Sequence, residues 1–92
     1  MNQKPSAHIK NILSQLPKQP GVYQYFDKSG TIIYIGKAKN LRNRVYSYFR
    51  GEDKCGKTVL MVSRIRDIKY IIVNTEEDAL LLEHSLIKTH KP

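Results

Sequence analysis

The spacing of apolar residues changes repeatedly along this chain, and each change marks an element. Ile9, Ile12, Leu13 and Leu16 recur at helical intervals behind a capping Ser6, which predicts a first helix over residues 8–16. Pro17 and Pro20 end it. From Gly21 to Phe26, and again over 31–36, β-formers take over, and Asp27-Lys28-Ser29-Gly30 between them has turn chemistry. A β-hairpin is predicted there. Leu41, Val45, Tyr48 and Phe49 restore the helical period over 40–49. After a polar break at 51–56, a short helix over 57–66 is expected to bury Val59, Leu60, Val62 and Ile65. Residues 69–73 read as a third strand. Thr75 then caps a last helix, with Glu76, Glu77 and Asp78 at its positive end. The order α-β-β-α-α-β-α, a hairpin and a third strand covered by helices, predicts an α+β domain.

Side-chain parity on the hairpin matters. A four-residue loop, Asp27 to Gly30, pairs Phe26 with Thr31 and puts Tyr23 opposite Tyr34. A two-residue loop brings Tyr25 opposite Tyr34 instead, and an odd-length loop breaks the parity. In either even case Tyr23 and Tyr34 share one face. Such a pair serves a hairpin structurally, as aromatic pairs commonly do, or chemically. Lys37, Lys39, Arg42 and Arg44 follow closely. A phenol among these charges is expected to have a lowered pKa and to be able to accept a proton from water.

The chain has 92 residues, enough for one domain, and 40% of them are apolar, enough for a core. No apolar run approaches the ~20 residues of a membrane span, and no secretory signal precedes the first helix. The single cysteine, Cys55, excludes an internal disulfide and a cysteine-built zinc site, and fits a cytoplasmic protein. His8, His84 and His90 lack ligand spacing. The net charge of +8 points to a polyanion. The basic residues are not gathered on one amphipathic helix, so nucleic acid fits better than a membrane surface. A monomer is the default at this size. Met1 reads as a natural start, and Lys91-Pro92 as a cut through a longer protein.

Two further residues stand out. Arg44 falls at the edge of the stripe formed by Leu41, Val45 and Tyr48, where its planar fork either grips a phosphate or merely snorkels. Arg42 and Arg50 point elsewhere and read as solvated or as general DNA contacts. Glu83 falls amid the apolar stripe of the last helix, between Ala79, Leu80, Leu82, Leu86 and Ile87. A carboxylate there needs a basic partner such as Arg44 or Lys37, hydrogen bonds from the tyrosines, or a cation. A cation held by one carboxylate, water and substrate phosphate is expected to be Mg²⁺.

Gly21-Val22-Tyr23, ten residues, and Tyr34-Ile35-Gly36 resemble the signature of the GIY-YIG nuclease family. The flanking Lys37-Ala38-Lys39-Asn40-Leu41, Arg44, Ser47-Tyr48-Phe49, Asn74 to Leu80, Leu82-Glu83 and Leu86-Ile87-Lys88 resemble its members in bacterial nucleotide excision repair. The resemblance implies a small three-stranded antiparallel sheet flanked by helices. It also implies metal-dependent hydrolysis of a DNA phosphodiester with Mg²⁺, or Mn²⁺ as a substitute, and the incision 3′ of a lesion in damaged double-stranded DNA. The B component of the excision-repair machinery is implied as a partner, reached through regions outside this chain. By the same resemblance Glu83 holds the metal, and Tyr34, Tyr23, Lys37, Arg44 and Tyr48 are catalytic, with Lys39 and Arg42 on DNA. The family continues past Lys-Pro with a site asparagine that lies beyond Pro92. Two other readings stay open: a DNA-docking module without catalysis, and a GIY-YIG nuclease of a restriction or mobile-element system.

Overall fold

In a computed structural model, residues 6–51 and 56–90 are described. Cys55 and the terminal Met1, Lys91 and Pro92 lie outside them. The elements are α1 (Ala7–Gln15), β1 (Gly21–Phe26), β2 (Ile32–Ala38), α2 (Leu41–Phe49), α3 (Gly56–Arg64), β3 (Asp67–Ile72) and α4 (Glu76–His90). This is the α-β-β-α-α-β-α order read from the periodicity, with ends shifted by a residue or two.

Short polar side chains start the helices. Ser6 Oγ accepts the Ile9 N–H at 3.3 Å, Asn40 Oδ1 accepts that of Asn43 at 3.0 Å, and Thr75 Oγ1 accepts that of Asp78 at 3.1 Å. Each satisfies a donor that the first helical turn leaves without an intrahelical partner.

The three strands form an antiparallel sheet in the order β2-β1-β3. β1 is therefore the central strand, which is why Gly21 to Tyr25 are buried without alternation. On one face, under α1 and α2, Tyr23 and Tyr25 pack with Ile9, Leu13, Leu41 and Val45. On the other, Val22 and Ile35 pack with Ala79 of α4, flanked by Leu82 and Leu86. The result is three layers.

The hairpin departs from both even-loop alternatives. Phe26 pairs with Ile32, leaving five residues in the loop, and a bulge follows, so that Tyr25 pairs with Tyr34 and Tyr23 with Gly36. Asp27 builds the loop by accepting the N–H groups of Ser29 and Thr31 on Oδ1, at 2.9 and 3.0 Å, and Gly30 takes φ 81°. The odd loop costs one step of parity and the bulge restores it. Tyr23 and Tyr34 thus share a face as expected, but diagonally rather than directly opposite.

Two helices bury less than their patterns promise. On α3, Val59 and Leu60 are exposed; in that region only Ile65, just past the helix, is buried. On α4, Leu80 and Ile87 are exposed and Ala79 alone is fully buried. The covered strip of α4 runs along Ala79, Leu82 and Leu86. Glu83 therefore sits half-buried at the margin of that strip, not in its middle.

Candidate active site

The tyrosine face of the sheet ends at a cluster that α2 completes. The Tyr23, Tyr34 and Tyr48 ring centroids lie 5.9–6.1 Å apart in every pairing. Their hydroxyls are not equivalent. Tyr23 and Tyr48 are buried and their hydroxyls share a hydrogen bond of 3.0 Å, whereas Tyr34, on the edge strand, is 36% exposed. Water reaches Tyr34 far more readily than the other two.

Arg44 lies one helical turn before Tyr48 on α2. Its Nη2 donates to the Tyr48 hydroxyl at 3.4 Å, and its Cζ lies 5.0 Å from the centre of that ring. Tyr23 also interacts with the guanidinium, and Arg44 as a whole stays exposed, so an anion can reach it. Arg44 is thus held against the cluster rather than snorkelling freely, with donors left for an anion.

The motif glycines make this packing fit. A Cβ at Gly36 would meet the Tyr23 hydroxyl and ring carbons, and one at Gly21 would meet the Ile71 carbonyl oxygen and the Leu41 side chain. Both positions are defined by close approach from across the sheet.

Electrostatics correct one expectation. The tyrosine pKa values are raised, not lowered. Burial pushes Tyr34 up to about 12, with the Tyr48 hydrogen bond adding to it and Arg44 opposing. Burial also raises Tyr48 to about 12, and raises Tyr23 against the opposing pull of Tyr48 and Arg44. The positive charges next in sequence are not gathered around the phenols. Lys37 pairs with Val22 in the ladder and so projects from the opposite face to Tyr34. Lys39 is turned to Glu76, at 3.4 Å. Arg42 donates from Nε to the Leu16 carbonyl at 2.8 Å and from Nη2 to the Ser14 carbonyl at 3.3 Å. Arg44 alone of the four opposes the shift at Tyr34.

The Arg42 guanidinium ties α2 to the end of α1. Lys37, Lys39 and Arg44 instead line a groove of about 580 Å³ beside the tyrosines. Asn43 and Ser47 line it too, and the periodicity reading passed over both. The available signal was their spacing with Asn40 and Arg44, which puts all four on the polar face of α2.

Glu83, on α4, is near enough to Tyr34 for its charge to add slightly to the raised pKa of that phenol. Among the described residues its carboxylate has no hydrogen bond or salt bridge, and neither Arg44 nor Lys37 pairs with it. Half-buried at the strip's margin, it is left open to solvent or to a cation. No group of three acidic, histidine or cysteine ligands exists among the described residues. A lone carboxylate suits a hard cation that keeps most of its water shell, as Mg²⁺ does. His8 pairs with Asp67 at 2.9 Å, away from the tyrosines.

A model of the UvrC-like GIY-YIG domain matches residues 19–92. The UvrABC system protein C of Bacteroides fragilis is 62% identical over 89 residues, covering 97% of this chain and 15% of that protein. Its counterpart in Bacteroides thetaiotaomicron is 59% identical over 96 residues, covering 100% of this chain and 16% of that protein. The chain therefore spans about 15% of the length of the curated relatives it matches. The N-terminal GIY-YIG endonuclease domain of UvrC from Thermotoga maritima, solved bound to its catalytic divalent cation, magnesium, superposes with a TM-score of 0.83 at 36% identity. The match covers 95% of this chain and 94% of that one. On the match over residues 19–92 and relatives 59–62% identical along nearly its whole length, this chain belongs to the UvrC-like GIY-YIG family.

Proposed function

We propose that this domain is a metal-dependent DNA endonuclease that hydrolyses a phosphodiester, and that within a longer protein it makes the 3′ incision of nucleotide excision repair. The observation that carries this reading is the Glu83 carboxylate, without a basic partner among the described residues, set beside Tyr34 and the cluster that holds Arg44. On this reading the domain works as a monomer in the cytoplasm on damaged double-stranded DNA, and the B component of the repair machinery is engaged by other parts of the protein.

Glu83 holds Mg²⁺. When bound, the cation supplies Lewis-acid polarisation of the scissile phosphate and charge to stabilise the leaving 3′ oxygen. Arg44, steadied by the Tyr48 hydroxyl, presents its remaining donors to a non-bridging oxygen and offsets the negative charge that grows there. Tyr23 and Tyr48 fix that arrangement through their shared hydrogen bond. Tyr34, open to solvent, takes the proton of the attacking water, its anionic form favoured by Arg44, while Lys37 serves from the other face of the strand as a cation for the DNA backbone.

Nicking of a labelled lesion-containing duplex, with and without Mg²⁺, tests this. Glu83→Gln should bring Mg²⁺-dependent cutting to background while circular dichroism stays that of the unaltered protein. Arg44→Ala should lose about a hundred- to a thousandfold in turnover. Normal cutting by Glu83→Gln would end the metal assignment.

A further inference from the structure

We infer that the groove beside the tyrosine cluster is a second phosphate subsite, in which Lys39 and Asn43 hold a DNA phosphate flanking the scissile one. The inference rests on the nuclease reading and assigns the groove a ligand within it.

The face of α2 opposite the core makes one wall. At about 100° per residue, Asn43, Arg44 and Ser47 cluster on one side of the helix and Leu41, Val45 and Tyr48 on the other. Arg44 lies at the boundary between them. It touches the tyrosines and also lines the groove, so a strand gripped at its scissile phosphate continues directly along that wall.

Lys37, in β2, and Lys39, just past its end, line the groove as well. With Arg44 they give the groove three cations against one acid, Glu76. Glu76 is engaged with Lys39 at 3.4 Å, and both side chains are largely exposed, at 53% and 82%. Such an exposed pair is weakly held. A DNA phosphate accepts a charge-assisted hydrogen bond from the ammonium as a carboxylate does, and neutralising it also releases counterions condensed on the DNA. Lys39 therefore exchanges Glu76 for phosphate, and Glu76 acts as the resting partner that the substrate displaces.

Asn43 supplies the neutral contact. Its side-chain amide has no hydrogen-bond partner among the described residues, and its NH₂ carries two donors suited to phosphate oxygens. Ser47 donates its hydroxyl to the Arg44 carbonyl at 2.6 Å and contributes space rather than a donor. The groove, at about 580 Å³, is large enough for a nucleotide-sized ligand.

Anisotropy of a fluorescent duplex, titrated with the whole chain across a series of salt concentrations without divalent cation, tests the assignment. Lys39→Ala should lower the slope of log affinity against log salt by about one. Asn43→Asp should weaken binding roughly tenfold at low salt, because it places a like charge at the phosphate. Glu76→Gln should tighten binding a few-fold. A neutral methylphosphonate, moved along the strand one position at a time, should find one flanking site that weakens the unaltered chain and leaves Lys39→Ala no weaker than before. Unchanged slopes and affinities in the variants, with Mg²⁺-dependent nicking intact, would overturn the subsite and spare the nuclease. A chain that neither binds nor nicks duplex would overturn both.

Discussion

Tyr23 and Tyr25 stand two residues apart on β1, face the same way, and have opposite fortunes. The Tyr23 hydroxyl has Tyr48 as its partner. The Tyr25 hydroxyl is buried with none among the described residues, and burial drives its pKa far above the ordinary tyrosine value. Its ring packs against those of Tyr23, Tyr34, Tyr48 and Phe49 at centroid distances of 5.2–6.4 Å. Removing only the oxygen should therefore be harmless or helpful at Tyr25 and costly at Tyr23. Urea denaturation should find Tyr25→Phe at least as stable as the unaltered protein, and Tyr23→Phe about 1 kcal/mol less stable.

Tyr34 sets a pH dependence. With its pKa raised to about 12, the phenol is protonated at neutral pH, and only about one part in 10⁵ carries the basic form. A group needed in its deprotonated form gives a rate that rises with pH, about tenfold per unit below its pKa. Turnover should climb in this way from pH 7 to 9, and Tyr34→Phe should flatten the profile. Stability runs the other way. A raised folded-state pKa favours the fold fully below the unfolded value near 10, and that contribution is lost as pH rises toward about 12 for Tyr34 and Tyr48. That Tyr23 and Tyr34 share a face was legible, since alternation is a local rule. The direction of the pKa shift was not. Nearness in sequence put four cations beside Tyr34, whereas strand alternation and competing partners took three of them elsewhere.

At the scale of elements, Arg42 has a structural task beside the site. It reaches back to the last carbonyls of α1, which have no intrahelical donor, and joins α1 to α2. Arg42→Ala should cost about 1–2 kcal/mol of stability by denaturant titration and leave DNA affinity nearly unchanged. The existence and order of the seven elements followed from periodicity and caps, because Ser6, Asn40 and Thr75 are local signals. How far each helix is buried depends on what packs over it. Val59 and Leu60 continue an apolar pattern with nothing described above them, and α4 leans on β2 through a narrow strip. The bulge was equally hidden, because the loop alone does not reveal that the register slips once more between Tyr25 and Phe26.

For the molecule as a whole, one central strand serves two cores, and the site lies where the two layers meet at the β2 edge. Tyr23 and Tyr34 come from the hairpin and Arg44 and Tyr48 from α2, all within the first 51 residues, while Glu83 comes from α4 at the other end. Closing a short loop sacrifices less chain entropy than closing a long one. The hairpin and α2 are therefore expected to settle first, with β3 and then α4 joining afterwards. The chain thus gathers its grip on DNA before the side chain proposed to carry its metal. A partly folded molecule able to hold a strand is still unable to sever it, and cutting competence arrives with the last helix to dock.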